Sequence, residues 1–208
     1  MLNDIFATSM HGRYSTTEAG RIVEQGEWSY RGFGNAEITM TASAERPDDA
    51  LRFELRLHSA ERQLDDVELR ALEGEVPTRT LHAKIAGHVM TLESANADGD
   101  ESLGNLSVPP ETVFDGPSPI WLIHLVMTAP PPTDRVVTTP VVRFMLEGGG
   151  APGIFYRFTR DANRIAIAVL DDQGVETSSM SLRLDEDGCP RHIASGATET
   201  EILRLPSA

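Results

Sequence analysis

Strict alternation of apolar and polar residues is the feature that most limits what this chain can fold into, and it is clearest at residues 51–58. Leu51, Phe53, Leu55 and Leu57 fall on one side there, with Arg52, Glu54, Arg56 and His58 on the other. A period of two suits a half-buried β-strand, because successive strand side chains point to opposite faces, whereas a helix repeats every 3.6 residues. Residues 37–43 alternate in the same way, and Arg46-Pro47-Asp48-Asp49 supplies turn chemistry between the two runs, so a hairpin is expected. The pattern returns at Val67, Leu69 and Ala71; at Leu81, Ala83 and Ile85; at Val142, Phe144 and Leu146; at Ile154, Tyr156 and Phe158; at Ile165, Ile167 and Val169; and at Met180, Leu182 and Leu184. At least eight strands follow from this count.

The punctuation between these runs is short and turn-forming: Asp161-Ala162-Asn163, Asp171-Asp172-Gln173-Gly174 and Asp185-Glu186-Asp187-Gly188. Connections of that length join antiparallel neighbours, so strands adjacent in sequence should pair. Gly87 separates an odd-numbered apolar register (Leu81, Ala83, Ile85) from an even-numbered one (Met90, Leu92), which reads as a β-bulge that bends the sheet. Residues 93–108 turn to Ala, Asn, Asp, Gly and Ser and are expected to form a mobile surface loop. Residues 1–25, which precede the alternation, are a candidate irregular N-terminal segment. The whole chain, 1–208, is read as a single β-rich domain, a length that one hydrophobic core can serve.

One segment breaks the β pattern. Ser118 and Pro119 provide an N-cap and a proline at the first helical position, and residues 120–127 are apolar on nearly every side apart from His124. Pro130-Pro131-Pro132 then stops the helix. A short helix without a polar face must be enclosed. The expected fold is therefore mainly β with a minor α component, a strongly curved antiparallel sheet, as in a spiral β-roll or half-barrel, wrapped around one short central helix.

The charge balance narrows the partners. Eighteen basic residues face 32 acidic ones, a formal −14, and Lys84 is the one lysine among scattered arginines, so a phosphate backbone would be repelled and nucleic acid is not expected. No apolar run is long enough for a membrane-spanning helix, and stable membrane insertion is not expected either. Residues 1–20 lack the pattern of a secretory signal, which points to the cytoplasm. Cys189 is the only cysteine, so no internal disulfide forms, and its position between Gly188 and Pro190 offers nothing to activate the thiol.

Motifs with catalytic potential fail on chemistry. Gly116-Pro117-Ser118-Pro119 approaches a nucleophile elbow, but Pro119 has no N–H for an oxyanion and Ile120 stands where glycine is needed, so Ser118 reads as a cap. Gly148-Gly149-Gly150-Ala151-Pro152-Gly153 matches a dinucleotide fingerprint in letters, yet a strand follows it, and a hairpin loop is the better reading. Asn96, Asp98 and Asp100 resemble a calcium loop without its glycine and terminal acid. His82 and His88 have no third ligand, and the pairs Asp65-Asp66 and Asp48-Asp49 read as surface charge. No metal, cofactor or catalytic residue is expected.

What remains is an apolar interior. Trp121, His124, Leu125, Phe144, Tyr156, Phe158 and Leu55 are the candidate ligand-binding residues, with Arg143 among the arginines at the cavity mouth, because one helix inside one wrapped sheet leaves elongated apolar space. From about residue 26 to 205 the order of elements, with Asp115, Ser118 and Trp121 at mid-chain, the run Leu184-Asp185-Glu186-Asp187-Gly188-Cys189-Pro190 and a last strand at 201–205, resembles the spiral β-roll or half-barrel family. That family includes glycolipid-binding proteins and bacterial periplasmic lipoprotein carriers. The resemblance implies non-enzymatic sequestration of a lipid-like or glycolipid-like hydrophobic molecule between sheet and helix. The alternatives are an enzyme acting on a hydrophobic substrate, with His124 as acid or base assisted by Asp115 or a tyrosine, and an interaction module with a filled core. An exposed sheet edge also offers a second copy of the chain a place to pair as a homodimer.

Overall fold

The computed structural model describes residues 7–33, 37–48, 51–60, 63–96, 99–109, 111–116, 118–128, 130–133, 135–145 and 150–206. The first half is an antiparallel meander of β1 (Ala7–Glu18), β2 (Arg21–Phe33), β3 (Glu37–Arg46), β4 (Leu51–Ala60), β5 (Gln63–Glu73), β6 (Val76–Ala86), β7 (Val89–Asn96) and β8 (Gly99–Ser107). The second half holds β9 (Val113–Asp115), the helix α1 (Ile120–Thr128), β10 (Val137–Phe144), β11 (Gly150–Asp161), β12 (Arg164–Leu170), β13 (Glu176–Leu184), β14 (Pro190–Ser195) and β15 (Thr198–Leu205). All fifteen strands form one sheet in the order β8-β7-β6-β5-β4-β3-β2-β1-β15-β14-β13-β12-β11-β10-β9.

Two meanders thus meet where the first strand pairs antiparallel with the last, from His11 opposite Leu205 to Glu18 opposite Thr198. The Thr16 and Thr200 hydroxyls bond at 2.9 Å across that junction. The sheet curls around α1 and stays open, with β8 and β9 as its edges. β9 and β10 are its parallel pair, which follows from the chain crossing over through α1 between them.

Alternation does what its period predicts. Phe53, Leu55 and Leu57 of β4 are buried, as are Val67, Leu69 and Ala71 of β5 and Ile165, Ile167 and Val169 of β12. The predicted hairpin joins β3 to β4, with Arg46 opposite Leu51. α1 is present where its cap and proline place it: the Ile120 N–H donates to Ser118 Oγ at 3.4 Å. Isolated helices of this length are unstable in water. Ile120, Trp121, Leu122, Ile123, Leu125 and Val126 are all buried, so packing stabilises this one. Their burial contributes on the order of 10 kcal/mol before ordering entropy is subtracted.

Three expectations are corrected. Residues 1–25 are not irregular over their described part: residues 7–18 form β1 and residue 21 opens β2. The alternation is hidden there because inward positions carry Gly12, whose partner Trp28 fills the space, and Thr16, satisfied by Thr200. A Cβ on Gly12 would lie 2.3 Å from the Leu203 carbonyl oxygen and 2.8 Å from the Trp28 ring. Residues 93–108 are not a loop but the end of β7 and the whole of β8, an edge strand that needs few apolar side chains. The calcium-like triad falls on that hairpin, and its Asp98 lies outside the described residues. Gly87 is not a bulge: with φ of 59° it opens the turn between Ala86 and Val89. The switch from odd to even register follows from antiparallel pairing, which sets Ala83 opposite Leu92 and Ile85 opposite Met90.

The close contact at Gly12 gives a stability test. Gly12→Ala should lower urea-unfolding stability by roughly 1–3 kcal/mol, because the methyl meets backbone that cannot yield. Gly196→Asn, at a turn with φ of 60° and open space around it, should change stability by less than about 1 kcal/mol. Equal stability of the two variants would contradict the packing described.

Candidate functional site

α1 is tied to the sheet at both ends. At its start, Ser118 Oγ donates to Glu24 Oε1 at 2.8 Å while also capping the helix. Tyr14 donates to the same oxygen at 2.9 Å, and Arg46 Nε donates to Glu24 Oε2 at 2.9 Å. Glu24 is thereby a buried carboxylate with its ion-pair partner and two hydroxyl donors in place. Burial and the Glu24 charge push the Tyr14 phenol far above its ordinary range, so it stays a donor. Gly116 lies against the helix; a Cβ there would come within 2.1 Å of Trp121 Nε1.

A second buried carboxylate ends β9. Asp115 Oδ2 accepts from Arg143 Nε at 3.0 Å and from the Tyr156 hydroxyl, and Arg143 also donates to that hydroxyl at 3.1 Å. β9–β10 register sets Arg143 opposite Asp115, so backbone pairing makes the ion pair. Burial and Asp115 raise the Tyr156 phenol as well. Near the other end of α1, His124 Nε2 meets Ser59 Oγ of β4 at 3.1 Å, and Thr128 Oγ1 donates back to the His124 carbonyl at 2.8 Å. Burial lowers the His124 pKa to about 4, so the ring is neutral at pH 7.

Space remains at both ends of the helix. A seam cavity of about 260 Å³ lies between α1 and the open edges of the sheet. Its walls are Leu64, Ile85, Val108, Val113, Phe114 and Leu125, with His124, Thr128 and Thr112 among its polar groups. Thr112 Oγ1 is sealed from solvent and has no hydrogen-bond partner among the described residues. A mouth cavity of about 580 Å³ lies at the N-terminal end, where Glu24, Arg46, Asp115, Ser118 and Arg143 meet Leu122, Met180 and Ile193. A third hollow, about 680 Å³, is on the outer face over β1–β5 and is lined by charged and hydroxyl side chains.

The residues singled out from sequence are divided among these places. His124 and Leu125 line the seam cavity, and Arg143 lines the mouth cavity. Leu55 is buried beneath the outer hollow. Trp121, Phe144, Tyr156 and Phe158 line neither cavity beside the helix and are packed. Trp121 stacks on Phe144 at 5.1 Å between ring centroids, and Tyr156 meets Phe158 edge-on at 5.9 Å. Asp115 and His124 do not form a catalytic pair, since Arg143 and Tyr156 take the carboxylate and Ser59 takes the imidazole. His82 bonds Asp66 at 3.0 Å, and no group of three or more potential metal ligands occurs among the described residues. Burial pushes the Cys189 thiol up to about 11, against any nucleophilic role.

Glu24, Arg46 and Tyr14 were not foreseen, nor were Thr112, Val113 and Phe114. Glu24 carried a signal, because it shares its parity in β2 with Trp28 and Tyr30 and must therefore face inward.

A single open sheet curled around a partly enclosed helix defines a β-barrel-like protein. No family model matches the chain, and no curated protein matches it in sequence. Among solved structures it is similar to a DUF1089 family protein from Pseudomonas aeruginosa, with 17% identity over 85% of this chain and 88% of that one and a TM-score of 0.50. It is also similar to a beta-barrel-like protein of the domain of unknown function DUF1849 from Brucella abortus, with 10% identity over 97% of each chain and a TM-score of 0.56. At these identities the likeness is one of fold.

Two tests address the helix anchors. Glu24→Ala should cost roughly 2–4 kcal/mol in urea unfolding, less than for a fully buried pair because Arg46 keeps some contact with water. The same measurement checks His124 through pH. Its pKa lies below the unfolded value of about 6.5, so the stabilisation of the neutral ring is complete above that pH and is lost as pH falls toward 4. His124→Gln should flatten the stability profile in this window; an unchanged slope would show that His124 is not buried uncharged.

Proposed function

We propose that the protein is a non-enzymatic binder of a lipid-like hydrophobic small molecule, held in the seam cavity between α1 and the open edges of the sheet. The observation that carries this reading is the unfilled space beside Leu125 and Phe114, lined from four separate parts of the chain. Apolar cavities of about 150 Å³ already take up benzene, so about 260 Å³ has room for a larger ring or a segment of an acyl chain. It is too small for a whole lipid. The bulk of such a ligand would leave through the gap between β8 and β9, where no strand closes the wall.

The polar groups suit this role. A neutral His124 gives a ligand's terminal oxygen a donor or acceptor, while Glu111 is a charged group of the lining. Trp121 and Phe144 act one layer back, since Phe114 of the cavity wall stacks on Phe144, which in turn stacks on Trp121. The fold likeness to a beta-barrel-like protein supports an enclosed interior, though it names no ligand. Acid–base catalysis by His124 has less support: a pKa of about 4 leaves the ring a weak base at neutral pH, and no carboxylate among the described residues bonds it.

Titration with cis-parinaric acid tests the proposal. Saturable fluorescence enhancement, displaced by unlabelled palmitate, is expected. Leu125→Trp should fill the cavity and weaken binding at least about tenfold, or about 1.4 kcal/mol, while leaving the thermal midpoint nearly unchanged. Absence of saturable binding, or full binding by the filled variant, would overturn it.

A further inference from the structure

We propose that the mouth cavity at the N-terminal end of α1 is a second and separate binding site, whose ligand is a neutral polyhydroxylated small molecule such as a monosaccharide. It does not rest on the seam-cavity reading, because the two spaces share no lining residue.

The first support is an acceptor that the protein leaves unused. Asp115 is only 7% exposed, yet its described hydrogen bonds all go to Oδ2, and Oδ1 accepts none from the described residues. Among the described residues the side-chain atoms that are both sealed and unpartnered belong to Trp28, Thr112, Trp121 and Arg160, so Oδ1 is not sealed, and Asp115 is part of the cavity lining. An unsealed carboxylate oxygen at a cavity wall is an acceptor open to a ligand hydroxyl. Beside it, Arg143 commits Nε and one terminal nitrogen to Asp115 and Tyr156, so its other terminal nitrogen has N–H groups to donate. An acceptor and a donor fixed side by side match adjacent hydroxyls on one ring, one of which donates to Asp115 while the next accepts from Arg143.

The remaining walls extend the match. Thr16, Ser195, Thr198 and Thr200 supply hydroxyls on one side, and Val23, Leu122, Met180 and Ile193 supply an apolar surface for the C–H face of a sugar ring. The volume, about 580 Å³, is in the range usual for small-molecule sites. Charge selects against other classes. The carboxylates Glu24, Asp48 and Asp115 are paired with Arg46, Arg21 and Arg143, so each guanidinium there already serves a carboxylate and the site offers phosphate or sulfate no net positive charge. Each of the two buried carboxylates already has its own guanidinium, so a cation would gain little there and would meet Arg143.

Isothermal titration of the full chain with the methyl glycosides of glucose, mannose and galactose tests this. At least one should bind saturably with Kd of about 1 mM, a strength ordinary for a single ring. Asp115→Asn removes the charge from the acceptor and should weaken binding at least about tenfold. Since Asp115 also anchors Arg143, Ser195→Trp gives an independent check: it blocks the cavity from the half-buried end of β14 and should abolish binding with a nearly unchanged thermal midpoint. Leu125→Trp, at the other end of the helix, should bind the glycoside normally. Three results would overturn the proposal: no saturable binding of any glycoside up to about 50 mM, undiminished binding by Ser195→Trp, or binding of tetramethylammonium or phosphate in place of the sugars.

Discussion

A nine-residue helix that is apolar on nearly every side can exist in water only inside something, and the rest of this structure answers that requirement. The sheet does not merely pack against α1. It curls so that strands from both halves of the chain reach the helix, with Glu24 and Ser59 of the first meander bonding Ser118 and His124, and Phe144 of the second stacking on Trp121. The cap residue Ser118 and His124 each have a specific partner on the wall, Glu24 and Ser59, which fixes the rotation and height of the helix as apolar contact alone would not.

The same requirement explains the openness of the fold. An open curl lets the chain enter the interior from its edge, form α1 and return to the sheet. Here the chain leaves β8, forms the short β9, passes through α1 and comes back as β10, so the parallel pair and the seam have one cause. Cavities then arise at the two ends of the helix, where it is too short to fill the curl, while its middle is solid with Trp121, Phe144, Tyr156 and Phe158. One end is lined mostly by aliphatic side chains and an uncharged imidazole, the other by carboxylate–guanidinium pairs. Two chemically different spaces therefore share one scaffold.

The legible parts of the site were those carried by local chemistry. Ser118-Pro119 announced the helix, and His124 and Leu125 were placed beside a cavity because they sit on it. Arg143 was placed at the mouth of the apolar ligand cavity; it lines instead the cavity at the N-terminal end of α1, through its register opposite Asp115. The aromatic residues were legible as interior but not as solid interior, since whether two rings stack or leave a gap depends on the distance between strands far apart in sequence. Glu24 could have been found from its parity in β2. Its partners could not, because Arg46 and Ser118 lie 22 and 94 residues away.

Period-two alternation, short turns and one capped apolar octet determined the helix, the strands of clear alternation, the antiparallel pairing of neighbours and the need for an enclosing sheet, because each is set by interactions among residues close along the chain. Tertiary structure alone decided the pairing of β1 with β15, the hidden strands β1 and β8, and the division of the interior into a packed middle and two cavities. Those features come from contacts between distant segments. Sequence periodicity records which way a side chain points, and it holds no record of what waits on the other side.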